Sequence, residues 1–494
     1  MPKSAKQFLF LVIFLSGFLL CQSVKAACTG SSPTWTAADC SSEEVSACIT
    51  AASSGDTINI PADECTWTSG ITVPDAKKII IQGAGMDSTL INHGGTVTPL
   101  KAGTLGGDIT GLRITGIGFI QDATIGSSTP SIDIKGSGWR IDHCRITNNA
   151  GVSRYSIIAH GTNVDNPPIG LIDNNDFVEG RVDIQGMGTF LKNSNIWSEE
   201  SVLGTADMVY VEDNTFYKTV SGGGNSIDSN RAGSYAARYN TSTGIPQFMI
   251  HSLQADDERS PKNWEVYGNT FTTASSYNGA LFFRGGTGII FGNAMSGYHN
   301  NEIKFDNVRD GTSVGVFGLC NGSSYADGNI DSNGWPCRDQ IGRGPDAFVW
   351  TSNTIDPSPA QESQPAYIWL NRNGASVAGI LIPSASSGHI QADRDFYNES
   401  ASFNGTSGVG YGALANRPAT CTAGVSYWAT NDNYSNLTEY QGASHTKNFS
   451  GTLYKCTATN TWTNYWIPYT YPHPLRTESS DTTAPASPTG LAVT

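Results

Sequence analysis

The sequence predicts an all-β fold, a solenoid of stacked parallel coils with a short helix capping its start and a small β appendage after it. The first observation behind this is a phrase that occurs four times: Val-Glu-Asp-Asn-Thr-Phe (211–216), Ala-Arg-Tyr-Asn-Thr-Ser (237–242), Val-Tyr-Gly-Asn-Thr-Phe (266–271) and Ile-Phe-Gly-Asn-Ala-Met (290–295). Read at period two, Val211, Ala237, Val266 and Ile290 point inward, and the Asn three residues later sits where the strand ends and the chain turns. The spacings between Asn214, Asn240, Asn269 and Asn293 are 26, 29 and 24 residues. That is the length of one solenoid coil, with room for loops. The second observation is composition. Fifty-five Gly with only 15% charged and 38% apolar residues describe a turn-rich β protein rather than disorder.

The series extends upstream through Leu-Ile-Asp-Asn-Asn-Asp-Phe, which places Asn175, and through Trp-Arg-Ile-Asp-His-Cys-Arg-Ile, which puts Cys144 in the Asn slot. Downstream, Thr-Ser-Asn-Thr-Ile offers Asn353. Stacked turns leave backbone N–H and C=O groups buried at the corner, and an amide side chain both accepts and donates there. This ladder and the coil length resemble the right-handed parallel β-helix of the pectate-lyase-like superfamily, over roughly residues 40–385. The resemblance implies the fold. It leaves activity open, because that scaffold carries lyases, hydrolases, tailspikes and adhesins alike.

Taken in order, residues 1–26 read as a signal peptide: a basic start, an apolar run from Phe8 to Leu20, and Val-Lys-Ala before the cut. The expectation is a secreted, extracellular or cell-surface protein with no membrane span. Losing the signal removes three Lys and no acid, taking the net charge from −14 to −17, which argues against nucleic acid as a partner. Pairing of the remaining cysteines is expected outside the cell. Cys28, Cys40, Cys48 and Cys65 can pair in three ways, Cys320 with Cys337 and Cys421 with Cys456 are local pairs, and Cys144 is left as a buried thiol.

Residues 27–70 form an N-terminal cap, with a helix over 41–52 begun by Ser41 or Ser42. It plugs an end that would otherwise expose core and strand edges and invite end-to-end self-association. Coils fill 71–385. A long excursion before Asn353 contains Asp327, Asn329, Asp331 and Asn333, an oxygen-rich turn that either holds Ca²⁺ or is a plain Asx turn. Residues 386–475 are rich in Tyr, Trp and Thr and form the appendage, its aromatics packing on the solenoid flank or stacking on sugars. Residues 476–494 are similar to a linker and the first strand of a fibronectin type III module.

Two outward files carry the candidate chemistry. A further strand after the Asn turn ends in His160, Gln185, Asp228, His251, Arg284 and Asp306 in successive coils, each after an inward apolar or small residue. Coils stack about 4.8 Å apart, so Asp228, His251, Arg284 and Asp306 form one file. On a uronate polymer Arg284 would neutralise the carboxylate, His251 would remove the adjacent proton and Asp228 would orient His251. Arg231, Arg259 and Asp306 would add substrate contacts. For hydrolysis, Asp256 or Asp257 with Glu258 could supply an acid and a base. The other file is Asp142, Asp173, Glu212, Arg238 and Tyr267, two residues before each ladder position. Its three carboxylates resemble the calcium site of pectate lyases, and Arg238 and Tyr267 would contact substrate.

The leading expectation is therefore a secreted β-helix that binds an acidic polysaccharide and cleaves it by elimination. The competing one is a non-catalytic glycan-binding or filament protein of the cell surface.

Overall fold

A computed structural model describes residues 28–103, 108–121, 129–149, 154–161, 167–186, 195–218, 225–244, 248–249, 259–277, 279–298, 301–307, 309, 319–320, 337–346, 361–430 and 449–476. His251, Asp256, Asp257, Glu258, Asp327, Asn329, Asp331, Asn353 and the segments 1–27 and 477–494 lie outside these residues.

The repeated phrase folds into a parallel β-helix. Three sheets of 13, 11 and 10 strands run the length of the solenoid, their strands parallel except at the ends. Val211 pairs with Ala237, Ala237 with Val266 and Val266 with Ile290, all fully buried. Two strands follow each Asn corner, where the sequence suggested one. A short strand such as Thr215–Lys218 builds the second sheet, and Ile227–Asn230 belongs to the third. The Asn-Thr-Phe words are too short to show an alternation of their own, though their Phe residues stack inward, Phe177 on Phe216 at 4.8 Å.

The corner ladder runs from Asn175 through Asn214, Asn240, Asn269 and Asn293. Each Oδ1 accepts from both the backbone N–H and the Nδ2 of the preceding Asn at 2.9–3.1 Å. Cys144 joins with its N–H donating to Asn175 at 2.9 Å, and its thiol is buried, unpaired and pushed up to about 12 by desolvation. The residue before each ladder position takes a left-handed backbone: His143, Asn174, Asp213 and Tyr239 share φ near +55°, as do Gly268 and Gly292. At Gly268 a Cβ would also strike the Phe449 ring, so glycine serves both turn and packing there. Downstream of Asn293 the ladder closes on Asn371 (2.8 Å), which takes the rung expected of Asn353. The insertion between the two coils is longer than the sequence spacing suggested, and Leu370 in the left-handed position disguised the corner.

The cap follows local rules. Ser41 accepts the N–H of Glu44, Glu43 and Glu44 fill the first turn, and helix Ser42–Ala51 turns Val45, Cys48 and Ile49 onto the end of the core. Disulfides Cys28–Cys48 and Cys40–Cys65 select one of the three pairings, while Cys320–Cys337 and Cys421–Cys456 join as the local pairs. The first coil opens at Thr57–Ile60, inside the segment expected as cap, and the first sheet runs past residue 385 to Phe396–Asn398.

The appendage is a four-stranded sheet (409–413, 426–430, 451–458, 461–466) laid on the outer face of the first sheet. Its aromatics make that contact. Phe291 stacks on Trp369 at 4.6 Å, Trp428 lies 5.2 Å from Phe291, and Trp466 lies 5.7 Å from Tyr267. Residues 469–476 then run back along the same face. The aromatic stretch thus packs on the solenoid flank.

Candidate functional site

The third sheet carries the outward file, with one change of register. Lys135 pairs with His160, His160 with Gln185 and Gln185 with Asn230. Phe283 pairs with Phe305, so Arg284 and Asp306 directly follow a matched pair. All six polar residues are partly buried. Arg284 and Lys304 both lie against the Phe282 ring, at 4.4 and 4.2 Å, and Lys304 pairs with Asp306 at 3.0 Å. Burial alone would raise the Asp306 pKa, but the Lys304 bond and charge, with Arg284 adding to them, bring it below the ordinary value.

Asp228 does not belong to that row. It pairs with Asp183, and Asn230 takes the position expected of it, because the inward slot after Asp228 is filled by the small, fully buried Ser229. From Asp228 to Arg284 is two coils, about 10 Å along the axis, plus two residues, about 7 Å along the strand. Asp228 instead holds Asn225 at 3.1 Å and lies 3.6 Å from Arg181. Arg181 also reaches Asp183 at 3.9 Å and stacks over Tyr155 at 3.9 Å. Tyr155 donates to Asp183, and burial together with that carboxylate pushes its phenol up to about 12. A β-bulge between Tyr155 and Ile157 aims this group, and the missing side chain of Gly180 leaves room for the Ser156 hydroxyl.

One coil away, His160 Nε2 meets Asp133 Oδ1 at 2.6 Å. Burial works to raise the Asp133 pKa, yet the His160 bond and the charges of His160, Lys135 and Lys101 bring it down. Gln185, next to His160 in the strand register, donates to Asp183 at 3.2 Å and accepts from Arg231 at 2.7 Å. Tyr155, Arg181, Asp183 and the Asp133–His160 pair were not selected from the sequence. The signal was available in Ile-Asp-Ile-Lys (132–135) and Ile-Ile-Ala-His (157–160), one coil apart with matching alternation.

Several expected substrate contacts are interior. Arg259 is buried, bound to Asp339 at 2.6 Å and Asp346 at 2.8 Å, with Trp197 beneath it. Arg238 and Tyr267 are fully buried. Arg238 bonds the Tyr267 hydroxyl (2.9 Å), Glu212 (2.7 Å) and the carbonyls of Tyr469 and Thr470. Outward strand positions were expected to face solvent, but the C-terminal segment covers these.

The same cover decides the carboxylate file. Asp142 pairs in register with Asp173 and Asp173 with Glu212, so the three are brought together. Arg113 and His143 each bond Asp142 at 2.6 Å. Arg140 grips Asp173 at 2.8 Å through two nitrogens, and Arg476 joins Asp173 (3.1 Å), Glu212 (3.0 Å) and Asp213 (2.7 Å). Every oxygen of the three carboxylates meets a nitrogen donor. A hard cation needs free oxygens, so these residues do not fit Ca²⁺ while the guanidinium groups are in place.

No protein-family model and no curated protein matches the sequence. Among solved structures the chain is similar to one described as a PL6 family alginate lyase, with a TM-score of 0.33 at 11% sequence identity. The likeness covers 84% of this chain and 57% of that one, so this chain spans little more than half of its neighbour's length.

Proposed function

We propose that this chain binds an acidic, uronate-type polysaccharide along the outer face of the third sheet and cleaves it by elimination. The observation that supports it is the row of partly buried polar groups in neighbouring coils, from Lys135 and His160 to Arg284 and Asp306. Coils about 4.8 Å apart present side chains at close to the length of one sugar, so a linear polymer can meet one coil per residue. Arg284 and Arg231 are suited to substrate carboxylates as planar donors, and Lys135 as a point charge. The proton is removed by an imidazole, that of His251 or that of His160. Asp228 belongs to the Arg181 group and orients that cluster.

We also place the protein outside the cell, with its leader removed. Four disulfides fit an oxidising compartment. No described helix is long and apolar enough to cross a membrane. Calcium, if used, belongs to Asp327, Asn329 and Asp331, and the helix-capped end limits end-to-end association to the opposite end.

The test is incubation with polygalacturonate, polymannuronate, polyguluronate and a glucuronate-containing glycosaminoglycan, following absorbance of the unsaturated product. His251→Ala and Arg284→Ala serve as variants, with and without added Ca²⁺. Absorbance growth on one polymer, lost in Arg284→Ala, supports the reading. Retardation of a polymer in an affinity gel with no product on any of them favours the binding-only alternative.

A further inference from the structure

We propose that His160, held by Asp133 and flanked by Lys135, is the proton-transferring group of this elimination. The proposal rests on the polysaccharide-cleaving reading above.

Three features set this group apart. Asp133 and His160 come from neighbouring strands of the third sheet and meet at 2.6 Å, so two coils must stack in register for the pair to exist. The Asp133 carboxylate bonds Nε2, which places the ring proton there and leaves Nδ1 with its lone pair, the form a base requires. Lys135 lies directly beside His160 in the adjacent coil, and Gln185 is its partner on the other side. A uronate over His160 would thus find a cation for its carboxylate within one coil spacing, about 4.8 Å, of the base. Neutralising that carboxylate is what makes the hydrogen on the neighbouring carbon acidic enough to remove.

The step balances within one residue. His160 Nδ1 takes the proton from C5, and the C5–H electron pair becomes the C4–C5 double bond. The C4–O bond breaks, its pair leaving with the glycosidic oxygen. The imidazolium returns its proton to that oxygen, and His160 ends neutral as it began. Base and acid being one ring, the proton and leaving group depart from the same side of the sugar, so only uronates with that relation of H5 and O4 are substrates.

The test uses the full chain and the polymer giving the fastest absorbance rise. His160→Ala and His160→Gln should lower kcat by about a hundredfold or more with KM changed by less than about threefold. Added imidazole should restore part of the rate to His160→Ala, where a cavity receives it. Asp133→Asn should lower kcat with KM little changed, because the amide no longer fixes which ring nitrogen of His160 carries the proton. Thermal melting of each variant separates loss of fold from loss of chemistry. Wild-type activity that survives in folded His160→Ala and His160→Gln overturns this assignment and leaves the elimination reading standing. A wild type inactive on every polymer overturns both.

Discussion

Glu265 offers the sharpest quantitative test of how the appendage is joined to the solenoid. It stands in the first sheet between Ala236 and Ile289, fully buried, and its Oε1 accepts from the Trp466 indole of the appendage and from the N–H of Gly204. Its Oε2 has no hydrogen-bond partner among the described residues. Burial pushes the carboxyl from 4.5 up to about 7, against the pull of Trp466, Gly204 and Arg238. The folded chain therefore binds this proton more tightly than the unfolded chain does between those two values. Stability from this group is fully present below pH 4.5 and is lost as pH rises through 7, a total of about 3 kcal/mol. Glu265→Gln copies the protonated form at every pH. At pH 4 it should match wild type within about 0.5 kcal/mol, and at pH 8 exceed it by about 3 kcal/mol. Urea unfolding followed by tryptophan fluorescence at several pH values reads this directly, since Trp466 and the other buried tryptophans are exposed on unfolding. A gap between the two proteins that stays constant from pH 4 to 8 would refute the reasoning, because it would mean that Glu265 does not change its proton on unfolding.

Three further outcomes follow from particular contacts. Asn240→Ala removes the acceptor of two buried donors of Asn214 and the donor to Val211, and should cost about 3 kcal/mol or more in urea unfolding. Arg476→Ala strips a cation from Asp173, Glu212 and Asp213 at once; a loss of about 3 kcal/mol and faster proteolysis near the C-terminus are expected. Arg284→Ala should lower kcat/KM on the cleaved polymer about tenfold or more while leaving the melting temperature nearly unchanged, as befits a partly exposed group.

The fold was legible because its corners demand one chemistry. An inward-facing amide must accept from one coil and donate to another, and Asn214, Asn240, Asn269 and Asn293 announce that need at coil spacing. Where another residue disguised the corner the reading slipped, as at Asn371 behind Leu370. The third-sheet file was legible for Arg284 and Asp306, whose strands keep large inward residues, Phe283 and Phe305. It failed at Asp228 because Ser229 fills an inward slot without looking apolar. Nothing local could reveal the burial of Arg238, since the carbonyl that covers it belongs to Tyr469, 231 residues further along the chain. Alternation tells which side of a sheet a residue takes, and only the distant chain decides whether that side stays wet.

The two outward files use the same side chains to opposite ends, and the difference lies in what completes them. On the first sheet, the carboxylates of Asp142, Asp173 and Glu212 meet Arg113, Arg140, Arg238 and Arg476 in a space closed by the C-terminal segment. Charges so paired in a dry interior can fix how segments join, but a substrate could enter only by displacing that segment. On the third sheet, Asp133 and His160 pair across one coil with both groups still partly in water, beside Lys135 and Gln185. A polymer carboxylate arriving there displaces solvent instead of protein, which is the lower cost. The β-helix repeats its outward positions on every face, and the groups proposed as reactive are the paired ones that stay partly in water.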